Sequence, residues 1–571
     1  MYDARSVANF YSSVLSFFSA YLFRGDSYIR SPAVEITSIE EDKPYYHDSY
    51  CPIHGSRKRF RRPQLKDVGS YHLTSIESVE MEPTSHCIFS QAYAAKMIRK
   101  RKRATLSGVA RFRNRKEKHK IEMNLWIMSV AFLFLFTAFH GLQNLQTSVN
   151  KRLGFDSLGV YYLTVAISSL FVPPFMLNRL GCKLTLIVSS GIYMIYMVAN
   201  FLPKYYSLIP AAILAGCAGS CLFATKCVYI SESGRRFGQL NVEDQNVVTV
   251  RFFGFFFTVL HFGQVVGNVL SSFILTLAIE YVKPADGVIY NTLRFSNSPF
   301  LSEQAKANLK QPPRGAFLAL CGAYFCCTVV ALLIVSMFLN SLRKDKIASK
   351  MQCKINYFPF NLRCLNYQIY LPYTYFKLSN AKPLLLTPLT IFNGLEQAFL
   401  IGYYTKAYVA CGLGISQIGY VVTSFGIADA LCSLFFGPLM KLFGRMPLFV
   451  FGAVVNMLTI MTLMIWPLNP GDTELFYVIA GVWGMADGVW NTQLNGLWVV
   501  LSRSSLEAAF ANYHFWECSG IAFGLFLTRF ANISQVLIIC LIVLLIGITG
   551  YFIVEFYEEF TASILSIQLE K

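Results

Sequence analysis

Charge is scarce in this sequence. Only 14% of its 571 residues are Asp, Glu, Lys or Arg, against about a quarter in an ordinary soluble domain. Acids are rarer than bases, 32 against 50, which leaves a formal charge of +18. The charges are also concentrated: residues 1–121 are polar and basic, and most of the remaining chain is apolar. That distribution excludes a soluble globular protein and fits a polytopic membrane protein. Catalytic motifs are lacking too, with no glycine-rich phosphate loop, no HExxH and no GxSxG, so no enzymatic activity is expected. The 15 cysteines form no CxxC pair and no Cys/His cluster at metal-ligand spacing. They read as reduced, small apolar side chains, and neither a metal nor a cofactor is expected. No cleavable leader is read either: residues 6–23 are moderately apolar but lack a basic start and a cleavage site.

What the chain has instead is long apolar stretches. A membrane-crossing helix needs about 20 mostly apolar residues. That rule predicts six spans near 123–146, 158–177, 182–202, 207–230, 250–279 and 315–339, then six more near 383–405, 415–439, 446–467, 474–498, 505–528 and 533–555. The expected organisation is an unstructured basic tail over 1–121, a six-helix bundle over 122–340, a linker over 341–382, a second six-helix bundle over 383–557 and a short tail over 558–571. Nearly half of residues 96–120 are Lys or Arg, and the first span comes directly after them. A basic run beside a membrane helix marks a cytoplasmic end that attracts anionic lipid, and nucleic acid is not the expected partner. The linker adds Arg343, Lys344, Lys346, Lys350, Lys354, Arg363, Lys377 and Lys382 against one acid, Asp345. Both termini and the linker are therefore expected in the cytoplasm. The loop near 280–314 is basic as well and falls outside, a mild departure from that rule. The single glycosylation sequon, at Asn532, lies in a loop that looks too short and too near the bilayer to be modified.

The two sets of six spans repeat each other. "FHGLQNLQ" at 139–146 is echoed by "FNGLEQAF" at 392–399; "RLGCK" at 179–183 by "LFGRM" at 442–446, aligning Gly181 with Gly444; and "FATK" at 223–226 by "WNTQ" at 490–493. Two parallel repeats of six spans are the signature of the major facilitator architecture, an all-α membrane fold of twelve helices in two bundles. Polar residues fall in helical register within the spans. The first span carries His140, Gln143, Asn144 and Thr147; the fifth His261, Gln264 and Asn268; the seventh Asn393, Glu396 and Gln397; the tenth Asp487, Asn491 and Asn495. Lys226 stands in the fourth, Asp429 in the eighth, and Asn512, His514 and Glu517 in the eleventh. A charge at mid-bilayer costs about 2.5–3.5 kcal/mol on insertion scales, so these groups are expected to face a hydrophilic interior between the bundles. Lys226 is expected to pair there with Glu396 or Asp487. Polar stripes also join helices without holding any ligand, and that reading stands beside the first for Gln143, Asn144, Asn268 and Asn491. Asp429 reads equally as a gate residue or a helix contact.

Three phrases go further. "FTAFHGLQNLQTSVN", "LGVYYLTVAISSLFVPPFMLNRLGCKLTLIVS" and "RFFGFFFTVLHFGQVVGNVLSS" closely resemble the uncoordinated-93 family of the major facilitator superfamily. The loop residues Arg179, Gly181, Lys183, Gly444 and Arg445 resemble that superfamily's short loop motif, with Asn178 where its Asp usually stands. Phe223 and Lys226 replace the Trp and Gln common in the family's fourth span. The resemblance implies a non-enzymatic regulator or escort of another integral membrane protein, in the first place an auxiliary regulator of a potassium channel at the plasma membrane. Two alternatives stay open. One is an ion- or proton-coupled transporter of a small organic anion, with Lys226 holding the anion and Glu396 or Asp487 cycling a proton. The other is a trafficking chaperone for endolysosomal receptors.

Overall fold

The computed structural model describes residues 108–278 except 242 and 244, 308–341, 381–501 except 467, 469 and 470, and 506–570. The tail before residue 108, most of the basic loop near 280–314 and nearly all of the linker lie outside the described residues.

Within them the chain forms twelve helical rods. The first half holds α1 (Gly108–Val149), α2 (Lys151–Ser169), α3 (Val172–Ala199), α4 (Tyr205–Asn241), α5 (Gln245–Ala278) and α6 (Arg314–Phe338). The second half holds α7 (Ala381–Ala398, continued by π-helical Phe399–Ala410), α8 (Ile418–Phe443) and α9 (Met446–Ile465). It continues with α10 (Thr473–Val489, continued through a π-helical turn at Trp490–Leu494 into Asn495–Leu501), α11 (Leu506–Phe526) and α12 (Ile533–Glu570). Among the described residues, nine helices are long and apolar enough to cross a membrane. The other three rods are α2, α10 and α11. α2 starts on Lys151, Arg152 and Asp156, the π turn breaks α10, and α11 carries Asn512, His514 and Glu517. These rods spend much of their surface on protein rather than lipid, so they can be less apolar.

Several boundaries differ from expectation for physical reasons. α1 is already helical at Gly108, inside the stretch expected to be unstructured tail. Its first turns display Arg111, Arg113, Arg115, Lys116 and Lys120 to solvent, and Lys118 donates to Asn241 at the end of α4 (3.0 Å). The expected C-terminal tail is likewise a continuation of α12, to Glu570. The second span is expected over 158–177, but α2 stops at Ser169 and the chain turns at Leu170–Phe171. Pro173 and Pro174, in the first turn of α3, lack the N–H that an unbroken helix would need. The "RLGCK" loop is a break within α3, at Gly181 (φ 74°, ψ 171°), and its echo Gly444 ends α8 in nearly the same conformation (φ 85°, ψ −179°). A positive φ of this kind is strained for residues with a Cβ, and both halves place a glycine there.

The helices alternate in direction. Asn340 after α6 donates to Asn124 near the start of α1 (2.9 Å), and Gln146 at the end of α1 donates to Asn200 after α3 (3.4 Å). The end holding the start of α1 is called proximal below, the other end distal. Of the nine apolar helices, α1, α4 and α7 are the most enclosed (67%, 61% and 72% buried) and lie at the centre, while α6 is the most open (33%). The halves meet where α2 packs on α11, α5 on α8, and α1 on the π-helical part of α7.

Close crossings within a bundle depend on small residues. A Cβ on Gly394 of α7 would collide with the Glu517 carbonyl of α11, and one on Gly520 of α11 with the Ile391 carbonyl of α7. Gly394→Val should therefore separate α7 from α11 and lower the melting temperature of purified protein by several degrees, since overpacking costs about 1–3 kcal/mol. Gly322→Ala on α6, where a Cβ meets nothing within 4 Å, should melt at or above the wild-type temperature in the same measurement.

Candidate functional site

The polar stripes sort into three groups once the helices pack. In the first half they bond mainly to each other. Asn144 donates to Asn268 (2.9 Å), tying α1 to α5, and Gln143 accepts from Tyr162 (2.8 Å), tying α1 to α2. Gln146 donates to Ser157 (3.0 Å) and accepts from Tyr196 (3.0 Å). Gln143, Asn144 and Asn268 thus each bond to a side chain of a neighbouring helix.

In the second half the buried carboxylates have donors of their own. Asn456 of α9 donates to Glu396 Oε2 (2.8 Å), and the indoles of Trp483 and Trp490 flank the same carboxyl. Asp487 accepts from Gln397 (2.6 Å) and from Asn491 (2.9 Å), one donor per oxygen. Glu517 Oε1 accepts from Asn393 (3.1 Å) and Tyr513 (3.0 Å), while its Oε2 faces His514 Nδ1 (3.0 Å). The stripe Asn393–Glu396–Gln397 is therefore divided among three neighbours: α11, α9 and α10.

The third group joins the halves. His261 Nδ1 of α5 stands 2.5 Å from Asp429 Oδ2 of α8, whose other oxygen accepts from Ser433 (3.2 Å). Asp429 is fully buried and His261 nearly so. Asp429 thus meets His261 across the interface between the halves. Beside it, Phe223 of α4 stacks on His514 of α11 (5.2 Å between ring centroids, 23° between planes). The Lys226 ammonium lies over the rings of Phe223 (4.7 Å), Phe257 (5.0 Å) and Phe256 (5.9 Å). The expected pairing of Lys226 with Glu396 or Asp487 is not made. Glu396 bonds to Asn456 of α9, and Asp487 to Gln397 of α7 and Asn491 of α10, whereas Lys226 faces α5, with Glu517 the acid that acts on it. His140 meets Gln264 and shares its surroundings with His261 and Lys226.

Toward the distal end the halves are bonded again. Arg529, in the turn after α11, donates to Asp156 of α2 (2.7 Å), and that carboxylate holds the exposed guanidinium above its ordinary pKa. Thr147 donates to the Ile401 carbonyl (3.0 Å), Asn308 to the Cys411 and Gly412 carbonyls (2.9 and 3.0 Å), and Lys406 lies over Phe155 (5.1 Å). In the π-helical part of α7, Tyr403, Tyr404 and Tyr408 donate to the carbonyls of Gly524, Phe476 and Leu463.

The loop residues are spread out. Arg179 is exposed and covers Phe175 (5.4 Å). Lys183 is half-buried, and the Asn178 side chain lies outside the described residues. Arg445, in contrast, is buried and donates to Glu555 of α12 (2.9 Å). Asn532 is exposed just before α12, its N–H bonded to Gln535 (2.8 Å). Sequence reading missed Asn456, Glu555 and the Asp156–Arg529 pair. The signal was present for the first two: a lone Asn in "FGAVVNMLTIM" and an acid in "GYFIVEFY" are costly unless partnered. Among the described residues no group of three or more His, Cys, Asp or Glu side chains could hold a metal ion.

Residues 145–552 match the family described as "Ion channel regulatory protein UNC-93". The Caenorhabditis elegans protein named "Putative potassium channel regulatory protein unc-93" is 51% identical over 95% of this chain and 75% of its own length. The protein unc-93 homolog A of Xenopus laevis is 37% identical, and that of Homo sapiens 34% identical, each over 76% of this chain and 93% of the relative. Among solved structures, a D323A mutant of the nucleoside transporter NupG superposes with a TM-score of 0.51 at 13% identity, over 76% of this chain and 99% of that one. That likeness establishes the shared major facilitator fold alone.

Leaving a buried hydrogen-bonding group without its partner costs about 1–3 kcal/mol, so Asp429→Ala should lower the melting temperature clearly. Removing His261 as well should add less than its single effect, with a coupling of about 0.5–3 kcal/mol in a double-mutant cycle. Arg529→Ala, at an exposed site, should lower it less than Asp429→Ala does.

Proposed function

The chain belongs to the UNC-93 family of ion channel regulatory proteins, and from that premise we propose that it is a non-enzymatic subunit that regulates a potassium channel in the same membrane. The observation that carries this reading is the 51% identity, over nearly the whole chain, to a protein named for potassium channel regulation. The packing supports it. Glu396, Asp487, Glu517 and Asp429 each have donors within the protein, and side-chain bonds tie the halves at mid-height and distally. A subunit that works by contact needs a defined surface, and these bonds favour one. In the proposed setting both termini and the linker are cytoplasmic, the membrane is the plasma membrane, and the basic run over 96–120 lies against anionic headgroups. The polar groups between the bundles then serve chiefly to hold the halves in register.

Mass spectrometry of what co-purifies with the full chain in mild detergent should return a potassium channel subunit. Co-expression with that subunit should change its whole-cell current at least severalfold at unchanged surface abundance. Recovery of no channel subunit, or an unaltered current with both proteins at the cell surface, would refute the reading.

A further inference from the structure

Lys226 is 4% exposed, and among the described residues no hydrogen bond or ion pair reaches its ammonium. An ammonium offers three donors, and three phenylalanine rings accept none of them in the ordinary sense. Cation–π contact supplies about 0.5–2 kcal/mol, less than the several kcal/mol that burying an unpaired charge costs. Glu517 acts on the ammonium through space only, and each neighbouring acid already has hydrogen-bond partners of its own. Glu517 is occupied by Asn393, Tyr513 and His514, Asp429 by His261 and Ser433, and Asp487 by Gln397 and Asn491. His140, beside Lys226, meets Gln264, but its Nδ1 is buried without a partner, and its ring packs on Phe136 (5.0 Å between centroids). Phe136 in turn lies 6.0 Å from Phe223, which stacks on His514.

We propose that Lys226 and His140, walled by Phe136, Phe223 and Phe257, form a binding site in the first half, beside its contact with the second, for a small monocarboxylate with a planar apolar body. The charge count selects the ligand. One ammonium neutralises one negative charge, and the carboxylates of Glu517 and Asp429 close by disfavour a second. A phosphate dianion would need another cation and more donors than aromatic walls provide. A carboxylate takes a charge-assisted bond from Lys226 and a second from His140, and its apolar body stacks on the rings. Because Phe223 belongs to the first half and its partner His514 to the second, a ligand seated here bears on a contact between the bundles. This site does not depend on the channel-regulator reading, and either can fail alone.

The test uses the full chain in lipid nanodiscs, with radiolabelled benzoate as probe and equilibrium dialysis as readout. Wild type should bind benzoate saturably, and neither benzamide, its neutral analogue, nor inorganic phosphate should compete. Lys226→Gln should weaken binding about tenfold to a hundredfold, the worth of one charge-assisted bond, while Lys226→Arg keeps most of it. Without benzoate, Lys226→Gln should melt at a higher temperature than wild type, opposite to the outcome for a lysine held for structure. If Lys226→Gln does not yield monodisperse protein, Phe223→Leu carries the test: weaker benzoate binding supports the site and unchanged binding overturns it. Absence of saturable benzoate binding, equal binding by Lys226→Gln, or competition by phosphate overturns the proposal.

Discussion

A polar group inside a bilayer has no water to fall back on, so its partner must come from the protein itself. Most of the interior answers to that constraint. Asn456 stands in the middle of α9 because Glu396 needs a donor there, and Gln397 and Asn491 divide the two oxygens of Asp487. Arg445 is drawn inward at the turn before α9 by Glu555 of α12. Each such bond also fixes the angle and register of two helices, so satisfying the polar groups and assembling the bundle are one process.

The same constraint operates between the halves. α5 and α8 meet through His261 and Asp429, and α2 meets the end of α11 through Asp156 and Arg529. In a transporter of this fold the halves must rock against each other around a central site. Here the interface carries the buried His261–Asp429 contact at mid-height and backbone-directed hydrogen bonds distally, which suits a protein acting through contact with a neighbour. Lys226 stands apart, a buried cation set over phenylalanine rings with no hydrogen bond or ion pair among the described residues.

Much of the architecture is legible in the chain. Glycine at 181 and 444, placed by the internal repeat, marks the same backbone turn in both halves because the same φ is required of it. Helix ends are less legible. Apolar composition says where lipid can be and is silent on where a helix stops, so α1 and α12 outrun their apolar segments and α2 stops short before the Pro173–Pro174 pair. Of the site, the stripe residues are legible because helical spacing puts them on one face. Their partners are not, since Asn144 and Asn268 lie 124 positions apart and Asp156 and Arg529 lie 373 apart. No local pattern encodes a contact at that separation.

The sequence by itself determined that the chain lives in a membrane, that it is two related sets of helices, and that certain polar residues share helix faces. Each of these comes from composition or from periods of a few residues, which are properties of the chain before it folds. Only the tertiary structure decided which carboxylate meets which donor. Lys226 could have met Glu396 or Asp487 as far as register allows, yet the rotation of α4 directs it toward α5 and its phenylalanines. A helix can turn about its axis without changing one letter of its sequence, and it is the packing of its neighbours that fixes that angle.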